Sequence, residues 1–161
     1  MKPRSSGPPA GYTLTTDRAR VDLAAVHRYL NESSYWAEGI PLATVRRSLQ
    51  HSLPFAIHHG EEMVAFARVI TDYATFAYVG DVFVLEPHRG KGLSRWLMET
   101  IVADPRLSDF RRWMLATRDA HGLYAQTGFT PLANVERWME RRPLSGGYGD
   151  PAPGAADART G

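Results

Sequence analysis

The residues with the clearest chemical potential form a short basic loop, Arg89-Gly90-Lys91-Gly92-Leu93-Ser94. An apolar run over residues 82–85 leads into the loop through Pro87, and apolar side chains recur at helical spacing after it. Such a unit can hold a phosphate, because the first N–H groups of a helix have no partner and glycines let the backbone approach a ligand closely. Arg89 and Lys91 add positive charge. The loop therefore predicts an anion-binding site.

The loop alone does not identify its ligand. It lacks the glycine-to-Gly-Lys spacing of a Walker A motif, and it is not a Gly-x-Gly-x-x-Gly motif that opens a βαβ unit at the start of the chain. A short motif of this kind is also typical of a helix cap on a surface loop. The other elements of the chain have to decide between these readings.

Length and composition narrow the class of protein. A chain of 161 residues with 43% hydrophobic and 22% charged residues is typical of one ordinary globular domain. The lack of cysteine excludes disulfides, a thiolate nucleophile and thiolate metal ligands. No apolar run reaches the roughly 20 residues of a membrane span, so we expect a cytoplasmic protein with no membrane partner. The Arg-, Ala- and Pro-rich composition suggests a bacterial source.

The charge pattern disfavours nucleic acid as a partner. The formal net charge is only +2, and the basic residues are spread along the chain. The Arg-rich segment 106–112 keeps nucleic-acid binding open as a third, weaker hypothesis.

Composition also divides the chain. Residues 1–10 and 143–161 are rich in Pro, Gly, Ser and Ala and predict flexible tails. Between them, hydrophobic periodicity and turn residues predict the order β-α-α-β-β-β-α-β-α-β-β over residues 11–142. The predicted strands cover 12–16, 53–58, 63–71, 75–85, 113–116, 129–132 and 135–141, and the predicted helices cover 22–31, 41–49, 93–103 and 119–128. A strand, helix and strand around the loop imply a parallel pair, while the preceding hairpins are antiparallel. We therefore expect an α/β (α+β) fold with a single mixed, mostly antiparallel, twisted sheet of about seven strands.

A second motif, Ala120-His121-Gly122-Leu123-Tyr124-Ala125-Gln126-Thr127-Gly128-Phe129, follows about thirty residues later. It is similar to the Asn-x-x-Ala-x-x-Leu-Tyr-x-x-x-Gly-Phe pattern of the GNAT superfamily of acyl-CoA-dependent N-acyltransferases. The basic loop resembles the Arg/Gln-x-x-Gly-x-Gly/Ala signature with which that family holds the pyrophosphate of acetyl-CoA, Ser94 standing where Gly or Ala is usual. Both motifs lie in the expected element order, and the resemblance extends over 11–142. Runs at 35–41, 66–75 and 118–124 resemble a branch of small bacterial GNAT proteins without assigned substrates.

The resemblance implies where acetyl-CoA, the co-substrate, would bind. The strand ending at Leu85 would carry a bulge and splay from the strand at 113–117, and pantetheine would lie in the gap like an added strand. Thr117 stands in the slot of the family's common Asn, which puts a side-chain contact there in doubt. The residues implied to bind the cofactor are Val82, Phe83, Val84, Arg89, Gly90, Lys91, Gly92, Leu93, Ser94, Arg95, Thr117 and Tyr124.

Acyl transfer to an amine needs a neutral amine, charge stabilisation at the carbonyl oxygen and a proton for the leaving sulfur. The resemblance makes Tyr124 the acid, although with Leu123 it could simply pack its helix on the sheet. Asp81 is the candidate base at the position where many GNAT enzymes place a Glu; equally, it could pair with an arginine such as Arg68 or Arg118. His121, Asp119 and Asp72 are further candidates for the base.

Loop residues are the candidates for contact with the acceptor. We expect substrate-binding roles for Tyr35, Trp36, Tyr73, Asp119 and His121, whereas the aromatic residues could equally serve packing. No metal site is expected, because adjacent histidines in a strand, His58 and His59, point to opposite faces. His27 is expected to have a packing role.

The resemblance implies a transferase, specifically an acyltransferase that moves an acetyl group from acetyl-CoA to a primary amine of a small molecule or peptide by direct attack in a ternary complex. The alternative is a non-catalytic acyl-CoA-binding regulatory module. A monomer and a homodimer are both compatible with the sequence.

Overall fold

The computed structural model describes residues 7–142 and 148–149. They form two compact units, the first from 7–22 and 47–130 and the second from 23–46 with 131–142 and 148–149. Nearly all of the predicted tails, 1–10 and 143–161, lie outside the described residues, so their flexibility stays a prediction, as does the single domain over 11–142. The regular elements are β1 (Tyr12–Thr15), α1 (Leu23–Glu32), α2 (Leu42–Gln50), β2 (Leu53–His59), β3 (Glu62–Thr71), β4 (Phe76–Val84), α3 (Leu93–Ala103), β5 (Arg112–Met114) and α4 (His121–Ala125).

The first unit contains a mixed sheet in the order β1-β2-β3-β4-β5. Neighbouring strands from β1 to β4 pair antiparallel. Short turns join β2 to β3 and β3 to β4, whereas α1 and α2 lie between β1 and β2 in the chain. Strand β5 follows α3 and pairs parallel to β4. The mixed, mostly antiparallel sheet and the α/β class are confirmed, and so is the element order up to α4.

The core of the first unit lies between this sheet and α3. Strand β3 is buried along most of its length, and α3 contributes one apolar stripe spaced by three and four residues, as predicted. Burial of such side chains stabilises a fold by roughly 1.5–3 kcal/mol each. The stripe therefore fixes the N-terminus of α3 relative to the strands. Its buried members are Leu93, Trp96, Leu97, Met98 and Ile101.

The second unit holds α1 and the start of α2. Val26 and Leu30 of α1 are buried, as their helical spacing predicts. The Nε2 atom of His27 lies 2.9 Å from the carbonyl oxygen of Ile40. This contact fits the structural role expected for His27.

The predictions of strands at 129–132 and 135–141 are wrong. In the described residues the sheet has five strands, not about seven, and residues 135–137 form a single 3-10 turn. Pro131 lacks the N–H that a sheet ladder needs, and Asn134 adopts a positive φ of 53°, which turns the chain out of an extended path. The four predicted helices are present, but α4 ends at Ala125 and continues only as turns to Gly128.

Candidate active site

The candidate site begins at a β-bulge in β4. Phe66 of β3 faces Phe83, and Arg68 faces Gly80, so the one intervening residue of β3, Ala67, is opposite both Asp81 and Val82. Asp81 takes a left-handed conformation with φ of 54°, which is uncommon outside glycine but tolerated by Asp. The bulge bends the strand and redirects its backbone groups. This is the bulge that the resemblance implied for this strand.

The same strand separates from its parallel neighbour. Pairing between β4 and β5 covers only Phe76 to Tyr78 of β4, and no strand in the described part of the chain pairs with that side of β4 beyond Tyr78. The edge over residues 79–84 can therefore accept an extended amide-bearing ligand, as a sheet edge accepts an added strand. Phe83 and Val84 are buried, and Val82 packs partly against the core, so this edge is held firmly by its side chains.

The basic loop follows β4 after a 3-10 turn at Glu86–His88. Gly90 and Gly92 have φ of 75° and 76°, a region that side-chain-bearing residues rarely adopt. A β-carbon at either glycine would meet no atom within 4 Å. The glycines are thus required by the backbone path, and the space beside them is open to a ligand.

Helix α3 starts directly from this loop. Gly92 is its N-cap and offers no side chain to bond the first N–H groups, which by helix geometry lack intrahelical partners. The N–H groups of Leu93, Ser94 and Arg95 therefore remain available at the N-terminus of α3, the end of a helix that stabilises anions. The guanidinium of Arg95 is engaged elsewhere, since its Nε donates to Glu99 Oε1 at 2.8 Å. Arg95 can contribute its backbone more readily than its charge.

The two other basic side chains of the loop have defined contacts. Arg89 Nε donates to the carbonyl oxygen of Val84 at 3.0 Å and so ties the loop to the end of β4. Lys91 Nζ lies 3.4 Å from the hydroxyl of Tyr12, and that hydroxyl lies 2.9 Å from Nδ1 of His88. Sequence reasoning missed the contact of Tyr12 with His88 and Lys91, because at least 76 residues separate Tyr12 from them and only the folded chain brings β1 beside the loop.

The candidate base Asp81 is paired with an arginine. Arg68 Nε donates to Asp81 Oδ2 at 2.5 Å, and the two side chains are only 18% and 11% exposed. The alternative that the sequence left open, pairing with Arg68, is therefore present in the structure. The pair also joins β3 to the residue in the bulge whose conformation is least favourable.

Tyr124 is part of the core beside α3. It is 8% exposed, and its ring lies 6.2 Å from that of Phe129 at an angle of 70°. Leu123 packs partly against the same core. The packing role of these two residues is thus evident.

The other candidates around α4 are more open. Thr117 Oγ1 accepts a hydrogen bond from the N–H of Ala120 at 3.0 Å, so it shapes the entry to α4. Asp119 and Arg118 are exposed, with a 3.6 Å separation between Asp119 Oδ2 and Arg118 Nη2. His121 is the exposed first residue of α4. Asp119 and His121 are therefore both accessible to solvent.

Asp72 organises the turn between β3 and β4. Its carboxylate accepts from the Thr75 hydroxyl at 2.7 Å and from the N–H groups of Thr75, Ala74 and Phe76. Those bonds, the Thr75 hydroxyl foremost, hold the pKa of Asp72 well below its ordinary value. A carboxylate so stabilised in its charged form is a poor base. Tyr73 in the same turn is 50% exposed with φ of 59°.

Tyr35 and Trp36 lie in the second unit, in the loop between α1 and α2. Their rings contact each other edge to face with centroids 5.1 Å apart. Their expected contact with an acceptor stays a prediction. Within residues 7–142 and 148–149 there is no group of three or more potential metal ligands of the His, Asp or Glu type. No helix in the described part of the chain is long and apolar enough to cross a membrane.

The family model for the Acetyltransferase (GNAT) family matches residues 23–129, and the chain belongs to this family. A crystal structure of a GNAT-family protein from Xanthomonas campestris pv. campestris is 49% identical, with a TM-score of 0.82 over 84% of this chain and 96% of that one. A Gibberella zeae protein, FG08082, to which acetyltransferase activity is provisionally ascribed, is 28% identical over 71% of this chain and 76% of its own. A predicted acetyltransferase from Clostridium acetobutylicum, solved with acetyl-CoA, shares the fold at 13% identity, with a TM-score of 0.62 over 81% of this chain and 94% of its own. The GNAT fold and family membership are therefore confirmed.

GNAT proteins use acetyl-CoA, and the residues here fit that group. The fit rests on three observations: two left-handed glycines with free space beside them, a helix N-terminus without a side-chain cap, and an open strand edge that leads to both. A pyrophosphate matches the first two features and an extended pantetheine amide matches the third.

Proposed function

We propose that this protein is an N-acetyltransferase that moves an acetyl group from acetyl-CoA to a primary amine by direct attack in a ternary complex. The observation that carries the proposal is the continuity of the β4 edge with the glycine loop and the start of α3. When bound, acetyl-CoA would supply an activated acetyl group as a thioester. The residues implied to hold it remain those of 82–84 and 89–95, with Thr117 and Tyr124.

Charge stabilisation is assigned to the backbone of β4. The bulge at Asp81 and Val82 interrupts the ladder with β3, and beyond Tyr78 no strand in the described part of the chain pairs with the other side of β4. A backbone N–H fixed in this way can stabilise developing negative charge on a carbonyl oxygen without reorganisation, because its direction is set before the substrate binds. The role falls to the N–H groups of residues 82–84.

Proton transfer is assigned to two side chains. Tyr124 would donate its hydroxyl proton to the departing sulfur, since a phenol with an unperturbed pKa near about 10 is close in basicity to a thiolate. Asp81 would accept a proton from the amine, and its short side chain favours a route through water. Arg68 Nε donates to Oδ2 of Asp81, so the same carboxylate would serve both the ion pair and the proton transfer. His121 and Asp119 are the exposed alternatives.

The acceptor is proposed to be a small molecule or a peptide with a primary amine. Tyr73, Asp119 and His121 are exposed or partly exposed residues of the first unit with suitable chemistry: an aromatic face, a carboxylate and an imidazole. An amine that is cationic before reaction would be attracted by the aromatic face of Tyr73 and by the carboxylate of Asp119, and His121 in its neutral form could accept a hydrogen bond from it. The quaternary state, monomer or homodimer, stays a prediction.

The second candidate function is a non-catalytic acyl-CoA-binding regulatory module. It is favoured by the ion pair that engages Asp81 and by the turn-forming bond that engages Thr117. Nucleic-acid binding through 106–112 is less favoured, because Arg106 forms a salt bridge with Asp104 at 2.7 Å.

An acetyl-CoA turnover screen separates these functions. Purified protein is incubated with acetyl-CoA and a panel of amines, amino acids, polyamines and peptides, and free thiol is measured, with acetyl-CoA binding followed by thermal shift on the same sample. Thiol release that depends on one class of amine supports the transferase. Binding without thiol release across the panel supports the regulatory module, and a melting temperature unchanged by saturating acetyl-CoA contradicts both.

A further inference from the structure

Three side chains from two distant parts of the chain meet beside the glycine loop. Tyr12 opens β1, whereas His88 ends the 3-10 turn before the loop and Lys91 lies between its two glycines. The Tyr12 hydroxyl lies 2.9 Å from His88 Nδ1 and 3.4 Å from Lys91 Nζ. The Tyr12 hydroxyl thus links His88, just before the loop, to Lys91 within it.

The chemistry of the three groups sets the direction of the hydrogen bonds. An ammonium group only donates, so Lys91 must donate to the Tyr12 oxygen. The phenolic proton is then available to His88, whose Nδ1 accepts it in the tautomer that carries its proton on Nε2. Each member of the chain Lys91, Tyr12, His88 therefore depends on the next for its orientation.

Tyr12 itself is firmly placed. It is 9% exposed, and its ring lies 4.9 Å from that of His59, its partner in the β1–β2 ladder. The ring of His88 meets it edge on, at 89° and 5.8 Å. Lys91, by contrast, is exposed, and a free lysine side chain samples many rotamers. A rigid partner for its ammonium reduces the freedom that would be lost when the lysine meets an anion.

We propose that Tyr12, supported by His88, is a positioning residue that holds the Lys91 ammonium at the phosphate-binding loop and so strengthens binding of the phosphate-bearing end of the acyl-CoA. This inference rests on the proposed function, because it takes CoA as the ligand of the loop. Tyr12 acts through Lys91 and not on the reacting atoms. Loss of its hydroxyl should weaken CoA binding only while the lysine is present.

The test is a double-mutant cycle read by isothermal titration calorimetry with CoA. Lys91→Met should raise Kd about tenfold, the scale of one charge-assisted hydrogen bond, and Tyr12→Phe about threefold. The double variant should match Lys91→Met alone, because the hydroxyl has nothing left to orient. Melting temperatures of the ligand-free variants show separately whether the fold is weakened.

Two further variants separate positioning from packing. His88→Leu removes the acceptor and should weaken binding about as much as Tyr12→Phe, whereas His88→Asn keeps an oxygen acceptor close to the place of Nδ1 and should restore wild-type affinity. Tyr29→Phe in α1 is the matched control for loss of a phenol hydroxyl and should leave Kd for CoA unchanged.

The possible outcomes separate the positioning role of Tyr12 from the proposed use of acetyl-CoA. If wild type binds CoA and Tyr12→Phe binds it equally well, or weakens the Lys91→Met variant by a further threefold, the positioning role is overturned and the proposed function stands. A wild-type protein that binds no CoA overturns both.

Discussion

The glycine loop and the bulge of β4 are close neighbours in the chain but are built in different ways. The loop takes its shape from its own residues, since Gly90 and Gly92 supply the two left-handed positions and Gly92 caps α3. The bulge depends on a distant side chain, because Arg68 of β3 bonds Asp81 at its left-handed residue. The conformation of the glycine loop depends on residues next to each other in sequence, whereas the ion pair at the bulge forms only once β3 and β4 are paired. We therefore expect substitution of a loop glycine to weaken CoA binding, and substitution of Arg68 or Asp81 to lower the rate of acetyl transfer.

The largest effect is expected for Gly92→Glu. A side chain is strained at φ of 76°, and a carboxylate at this position repels the phosphate. We expect CoA affinity to fall by about a hundredfold or more, which corresponds to roughly 2.7 kcal/mol, as measured by calorimetry. Gly122→Ala is the control, because a β-carbon there meets no atom within 4 Å and its φ is not left-handed. Equal CoA affinity in Gly92→Glu and wild type would refute the loop as the anion site.

Tyr124→Phe tests the catalytic side of the comparison. Removal of the hydroxyl keeps the ring that packs near Phe129, so the fold and CoA affinity should change little. If Tyr124 is the acid, kcat should fall by about ten- to a thousandfold. Steady-state kinetics with a responsive amine, beside calorimetry with CoA, measures both quantities. An unchanged kcat would leave Tyr124 with packing alone.

Paired changes at the bulge ask which role Asp81 has. Arg68→Met and Asp81→Asn should lower kcat by similar factors, about tenfold, if the ion pair serves mainly to hold the bulge. If Asp81 is the base, Asp81→Asn should lower kcat far more than Arg68→Met does. The rates are compared at saturating acetyl-CoA with the same amine. A free energy of unfolding measured for each variant separates lost stability from lost chemistry.

The smallest effect concerns stability away from the site. The Arg106 side chain donates to Asp104 and lowers the pKa of that carboxyl in the folded state. A lowered pKa contributes stability above the unfolded value of 3.8, and this contribution is lost as the pH falls. Asp104→Asn should therefore destabilise the protein at pH 7 by less than about 1 kcal/mol, and the difference should shrink in acid. Thermal unfolding at pH 7 and in acid, with Asp109→Asn as the control, shows whether the loss of stability in Asp104→Asn shrinks as the pH falls.

Much of the fold could be predicted because its signals are local. The apolar stripe of α3 and the glycines of the loop each depend on neighbours in sequence, and the structure bears them out. The two predicted C-terminal strands are wrong, although their β-prone side chains are also a local signal. Pro131 and the left-handed Asn134 interrupt an extended backbone there, and the side-chain pattern gave them too little weight. The pairing of Asp81 with Arg68 was one of the alternatives that the sequence left open, and the structure shows it. The contact of Lys91 with Tyr12 could not be predicted, because 79 residues separate the two and only the folded chain brings them together.

Amide hydrogen exchange with and without acetyl-CoA tests the central claim most directly. If the edge of β4 and the loop before α3 hold the cofactor, protection should increase at the N–H groups of residues 82–84 and 90–95. The amide of Leu14, which lies opposite Ile57 of β2, serves as the internal reference. Added acetyl-CoA that leaves these amides unchanged, or protects a different part of the chain, would contradict the account.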